Sequence, residues 1–231
     1  MSGTPLSNPR FAGLLSTVAK TLAALPMSDD VAKSWEENGA ELALRLGFLT
    51  QAAPSRKPKS KPKPKFQIQP DGTITFSVKS DGTTGEAWIA RLEASGHKVS
   101  DYAKQLLLSA DFVSTKKGTI HQLVVLPGKF WSSDNVRTTK NIRAEADKRK
   151  LVKPNAEVGC LIRMMFSNED IVSMGLSWLV AMHEPIEDSG GSPFLLGTDV
   201  HDGDSWLYAR WDSLDYRWDE RSGFVFAVSQ E

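Results

Sequence analysis

Apolar positions along the chain fall into two periodicities, and these predict the elements. Phe11, Leu14, Leu15, Val18, Leu22 and Leu25 recur every three or four residues behind Asn8-Pro9, a cap followed by proline at a first helical position. Pro26 ends that helix. Ser28-Asp29-Asp30 opens a second one, whose stripe is Val31, Trp35, Leu42, Leu46 and Leu49, with Gly47 as the stop signal. Two such helices are marginal alone, so the hairpin needs a partner surface. A homodimer through residues 9–49 is one way to supply it.

Beyond Phe66 the pattern changes. Gln67–Gln69 and Thr73–Val78 flank Pro70-Asp71-Gly72 and predict a β-hairpin. Thr83 and Glu86 read as a capping box for a helix with Trp88, Ile89 and Leu92 inward, closed by Gly96. Ser100 caps a short helix with Tyr102, Leu106 and Leu107. Ile120–Leu126 reads as a buried strand ended by Pro127-Gly128. Ser132 or Ser133 starts a long charged helix running to about Leu151. Asn155 and Ser167 cap two further helices, and Leu176–Met182 reads as a central strand. A loop from Glu187 to Asp204 and two closing strands, Trp206–Trp211 and Phe224–Val228, complete the chain.

Strands and helices do not alternate regularly, which predicts an α+β fold: a mixed or antiparallel sheet with several helices. The domains are a helical hairpin over 1–50, a Lys/Pro linker over 51–65 and an α+β domain over 66–231. Within the linker, PSRKPKSKPKPK has no large apolar residue and alternates proline with lysine, a composition that favours extended polyproline II over a packed fold.

Composition adds less. Seven Trp and ten Phe among 231 residues supply large apolar surfaces for a core. The formal net charge is zero, but the signs are segregated. The linker is wholly basic, whereas after His183 eleven acids face three arginines. Cys160 is the single cysteine, so neither an internal disulfide nor a paired-cysteine zinc site exists. No stretch reaches the roughly 20 apolar residues of a membrane span. A cytoplasmic protein without membrane contact is the expectation.

Three constellations carry possible chemistry. Lys57, Lys59, Lys61, Lys63 and Lys65 of the arm, with Arg137, Lys140 and Arg143 stepping by three along the charged helix, suit salt-sensitive contact with nucleic acid or another polyanion. The acidic C-terminal segment is the internal competitor for that helix. Asp199, His201, Asp202 and Asp204 are a metal candidate. His183, Glu184 and His201 are acid–base candidates for a metal-dependent hydrolase. Third, Trp206, Tyr208, Trp211, Tyr216, Trp218 and Phe224, interleaved with Arg210, Arg217 and Arg221, suit either core filling or a stacking platform. No GxGxxG, GKS/GKT, GxSxG or HExxH motif occurs, and no cofactor is expected.

The blocks EAWIARLEASGHKVSDYAKQLLLSADF and TTKNIRAEADKRKLVKPNAEVGCLIR, with the ending GFVFAVSQE, resemble a group of uncharacterised bacterial proteins to which no activity is attached. The resemblance implies a bacterial cytosolic setting and covers Gly85 onward. The reading that orders these observations best is a soluble binding protein contacting a polyanion through its basic linker and helix. An adaptor dimerising through the hairpin and a hydrolase are the alternatives.

Overall fold

The computed structural model describes residues 64–201 and 203–229, with Lys33 besides. Apart from Lys33, they belong to one unit, Lys63–Glu231. The N-terminal hairpin, the proposed dimer surface over 9–49 and most of the Lys/Pro arm lie outside the described residues.

The fold is α+β. Among the described residues, five helices accompany a mixed sheet of ten strands. The strands are β1 Gln67–Ile68, β2 Ile74–Lys79, β3 Lys98–Val99, β4 Ile120–Pro127, β5 Leu151–Val152, β6 Trp178–Ala181, β7 Ile186–Glu187, β8 Pro193–His201, β9 Asp204–Trp211 and β10 Ser222–Val228. The helices are α1 Gly85–Ala94, α2 Asp101–Leu108, α3 Thr139–Lys148, α4 Glu157–Met165 and α5 Asn168–Ser173. Across the sheet the order is β1-β2-β4-β10-β6-β8-β9-β3, with β5 on β10 and β7 on β8. β10 runs parallel to β6, and β3 parallel to β9; the other pairs are antiparallel.

Side chains alternate between the two faces of each strand, so each central strand feeds two cores. Leu123, Val125, Leu179, Leu196, Leu207 and Val225 meet Trp88, Leu92, Leu106 and Ile162 of α1, α2 and α4. Their neighbours Leu126, Val180, Leu195, Phe224 and Phe226 meet Ile142 and Ala146 of α3, together with Trp218. β6 and β10 are therefore apolar on both sides, which is why Leu176–Met182 carries no polar alternation. At Gly85 a Cβ would lie 1.7 Å from the carbonyl oxygen of Leu107, so the close crossing of α1 and α2 requires glycine.

The hairpin at Asp71-Gly72, the Ser100 cap and the Ser167/Asp170 capping box agree with the sequence reading. The cap position of α4 is Ala156 rather than Asn155, whose side chain accepts from Glu157 N at 2.8 Å from one residue further out. Others move. The α1 cap is Thr84, not Thr83, whose hydroxyl donates to Asp81. α3 begins only after Thr138, since Arg137 is drawn inward and the preceding residues loop around it. The expected loop from Glu187 to Asp204 is mostly strand β8, which follows a turn at Asp188–Ser192. Finally, β9 and β10 are not a closing pair: β10 inserts between β4 and β6, and β9 pairs with β8 and β3.

Candidate ligand-binding surface

β9 places Trp206, Tyr208 and Arg210 on one face and buries Leu207 on the other. The register sets Trp178 of β6 opposite Asp199 of β8, and Asp199 opposite Trp206. Side chains from three adjacent strands thus meet on one part of the sheet, where Trp178, Trp206, Tyr208 and Arg210 stay half-buried and Asp199 is buried. The Arg210 guanidinium lies 4.3 Å from the ring centre of Trp178 and 5.2 Å from that of Tyr208. Tyr208 and Trp206 have ring centres 5.3 Å apart, inclined by 46°. Lys98 of β3 puts its ammonium 5.1 Å from the Trp206 ring. The result is a continuous row: Trp178, Arg210, Tyr208, Trp206, Lys98.

Each cation in the row has both a ring and a carboxylate. Arg210 Nη2 donates to Asp199 Oδ2 at 2.7 Å, and Lys98 pairs with Asp204. A planar guanidinium between two aromatic faces is held by dispersion and by the ring quadrupoles, and each such contact contributes about 0.5–1 kcal/mol when partly exposed. Beside the row is a cleft of about 140 Å³, lined by Trp178, Arg210, Tyr216, Trp218, Asp219 and Ser222. The Trp178 indole N–H is buried and has no acceptor. Tyr216 stands edge-on to Trp218 at 4.8 Å, and Trp218 is fixed by its own N–H bond to Thr139 Oγ1 at 3.0 Å. No protein-family model, curated protein or solved structure matches the chain. The reading of function therefore stands on this geometry.

The fold separates the three basic residues expected to face a polyanion together. Arg137 is 2% exposed, and its guanidinium bonds Gly128 O, Trp131 O, Trp218 O and Asp134. Arg143 donates to Asp212 at 2.7 Å, so the acidic C-terminal segment does neutralise part of this helix. Lys140 alone of the three is exposed. Lys65 pairs with Asp170, and Lys57, Lys59, Lys61 and Lys63 lie outside the described residues.

The hydrolase constellation does not assemble. His183 is 1% exposed and both ring nitrogens are engaged: Nδ1 with Glu184 O at 2.6 Å, and Nε2 accepting from Leu196 N at 2.8 Å. Burial pushes its pKa down to about 4, so the ring is a neutral structural bridge. Glu184 pairs with Lys153. His201 lies five residues beyond Leu196 on β8, about 17 Å away along an extended strand. Of the metal candidates, Asp202 lies outside the described residues and Asp204 is paired with Lys98. Among the described residues no group of three His, Cys, Asp or Glu is placed to hold a metal ion. Cys160 is buried, and desolvation raises its pKa well above the usual thiol value. No helix among the described residues is long and apolar enough to cross a membrane.

Two polar sites, one buried and one at the surface, are structural. Glu157, fully buried at the start of α4, accepts from Ser80 Oγ (2.8 Å), Thr115 N (2.9 Å) and Thr115 Oγ1 (2.7 Å). Arg149 lies across a second cleft beside Phe130 and Trp131, bonded at 2.8 Å to both Asp71 and Glu145. Its acids are thereby satisfied within the fold, and the Asp71 carboxyl is held down at about 2, mainly by Thr73 and then by Arg149. Trp178 and Lys98 were not singled out in the sequence. Only the β6–β8–β9–β3 adjacency brings them beside Trp206 and Tyr208.

Proposed function

We propose that this is a non-enzymatic binding protein whose folded domain recognises its ligand with the row from Trp178 to Lys98 and the adjoining cleft. The observation that carries the proposal is the continuous row of three rings and two cations at spacings of 4.3–5.3 Å. Core filling would bury such rings, whereas these are half-buried beside a cleft that Trp178 lines. Flat ring faces with polar edges suit an extended ligand that stacks along them.

The test labels the tryptophan indoles with ¹⁵N in the full-length chain. Single-stranded oligonucleotide, basic peptide and oligosaccharide are then added in turn. One class is expected to move the Trp178 and Trp206 signals while leaving that of Trp88, which is fully buried, in place. Equal response of all three signals, or of none, would remove the proposal.

Polyanion contact by Lys57, Lys59, Lys61 and Lys63 is a separate property of the arm. It draws no support from Arg137 and Arg143, which are turned to internal partners. Anisotropy with labelled DNA and RNA over a salt series tests it. A binding slope that shrinks when these lysines become serine supports it, and the absence of binding at low salt removes it.

A further inference from the structure

We infer that the chain forms a two-fold homodimer by pairing the open end of β9 with its own copy, so that the sheet runs on across the axis. The parity of β9 is the first observation. Leu207 O accepts from Ser100 N on the β3 side, and Asp212 N donates to Pro193 O on the β8 side. Backbone groups of successive residues alternate between the two sides of a strand, so those of Ala209 and Trp211 face away from β8, as those of Leu207 do. β3 pairs only with Trp206 and Leu207. Among the described residues nothing bonds the outward N–H and C=O groups of Ala209 and Trp211. An added strand satisfies such groups.

Aromatic surface at the same place is the second observation. The Tyr102 ring of α2 stacks on Phe194 at 5.3 Å, Phe194 is the register partner of Trp211, and Trp211 meets Tyr216 edge-on at 6.4 Å. This ribbon is open to solvent: Trp211 is 51% exposed, Tyr102 52% and Tyr216 37%, and Leu214 of the turn after β9 is 55% exposed. An aromatic side chain carries roughly 150–250 Å², so the three rings alone leave roughly 300 Å² of apolar surface at the edge. That suits the desolvated centre of an interface of roughly 800 Å² per partner.

The two ends of the sheet select the second copy as occupant. A strand partner must bring an open edge with apolar surface beside it, and β9 has both. The far end of the sheet differs: beyond its pairing with β1, β2 continues through Ser77 and Lys79, both exposed, and an edge lysine opposes strand pairing. A β9–β2 contact would also leave an edge open at each end and grow into a filament, whereas β9 on β9 closes. The side chains flanking the edge leave no charge to be matched, since Arg210 is paired with Asp199 and Asp212 with Arg143. The same residues set the register. An axis at Trp211 places two tryptophans side by side, a favourable cross-strand pair, and keeps Arg210 from standing opposite its own copy.

Sedimentation velocity of the full-length chain over a concentration series, joined to hydrogen exchange, tests the pairing. A monomer–dimer equilibrium is expected, weakened at least about thirtyfold by Trp211→Lys, the loss of a central hot-spot tryptophan. The indole signal of Trp88, fully buried in the core, reports that the variant is folded. Exchange is read on the native chain and so does not depend on the variant. The Trp211 amide should exchange more slowly as concentration rises, while that of Ser100, already bonded to Leu207 O, keeps its rate. A monomer at every concentration would overturn the inference. So would a dimer of unchanged strength in Trp211→Lys, which would move the contact elsewhere, as to a hairpin over residues 9–49. A dimer that forms without slower exchange at Trp211 would overturn it as well, because β9 would then not be the paired strand.

Discussion

Arg137 and Trp218 are joined twice: Arg137 Nη1 donates to Trp218 O at 3.1 Å, and Trp218 N donates to Arg137 O at 3.0 Å. The two residues are 81 positions apart, and the pairing ties the loop before α3 to the loop before β10. Trp218 forms one wall of the cleft beside the row, so a buried arginine positions part of the candidate surface.

Replacing Arg137 by alanine removes hydrogen bonds to the carbonyls of Gly128, Trp131 and Trp218, of which Gly128 O keeps a bond from Trp131 N. A loss of about 3 kcal/mol in urea unfolding is expected. Lysine restores less than half of it, because one ammonium cannot reproduce a planar fork of donors. Equal stability of the lysine variant and the native chain would show that the charge alone matters.

Glu157 anchors the segment between α2 and β4 through Thr115 and fastens the end of β2 through Ser80. Glu157→Gln keeps the shape but turns an amide N–H₂ toward groups that are themselves donors. The expected cost is about 2 kcal/mol. Hydrogen exchange at the Thr115 amide, bonded to the carboxylate at 2.9 Å, should accelerate selectively. Unchanged exchange there would contradict the anchoring role.

His183 makes stability depend on pH in a defined direction. Its ordinary pKa of 6.5 falls to about 4 in the fold because burial disfavours the charged ring. Between those values the unfolded chain binds more protons, so stability is complete above about 6.5 and declines as pH falls toward 4. Unfolding midpoints measured from pH 7 to pH 5 should therefore fall. His183→Gln should start lower at pH 7, having lost the bonds to Leu196 N and Glu184 O, but vary less over that range. A parallel slope in the variant would assign the pH dependence to other groups.

Local chemistry determined much of the secondary structure without help from the fold. Asp71-Gly72 encodes its turn, Ser100 and Ser167 offer a hydroxyl to the first helical N–H groups, and the apolar run at Leu176–Met182 is a central strand. These signals act over a few residues, so one chain segment suffices to read them. Two-residue strands such as β3 and β5 have no such signal and exist only because a longer neighbour offers backbone partners.

The partners of charged and aromatic side chains were decided by tertiary structure alone. In sequence, Arg137, Lys140 and Arg143 are one basic stripe. In the fold Arg137 is buried by carbonyls, Arg143 is matched by Asp212, 69 residues away, and Lys140 stays in solvent. The aromatic cluster of β9 was legible, and so was its shared face for Trp206 and Tyr208. Its completion by Trp178 and Lys98 was not, because it depends on strand order across the sheet. A strand's period of two fixes which side chains share a face. Which strands lie beside it is settled by long-range burial, and that adjacency turned separate residues into one row.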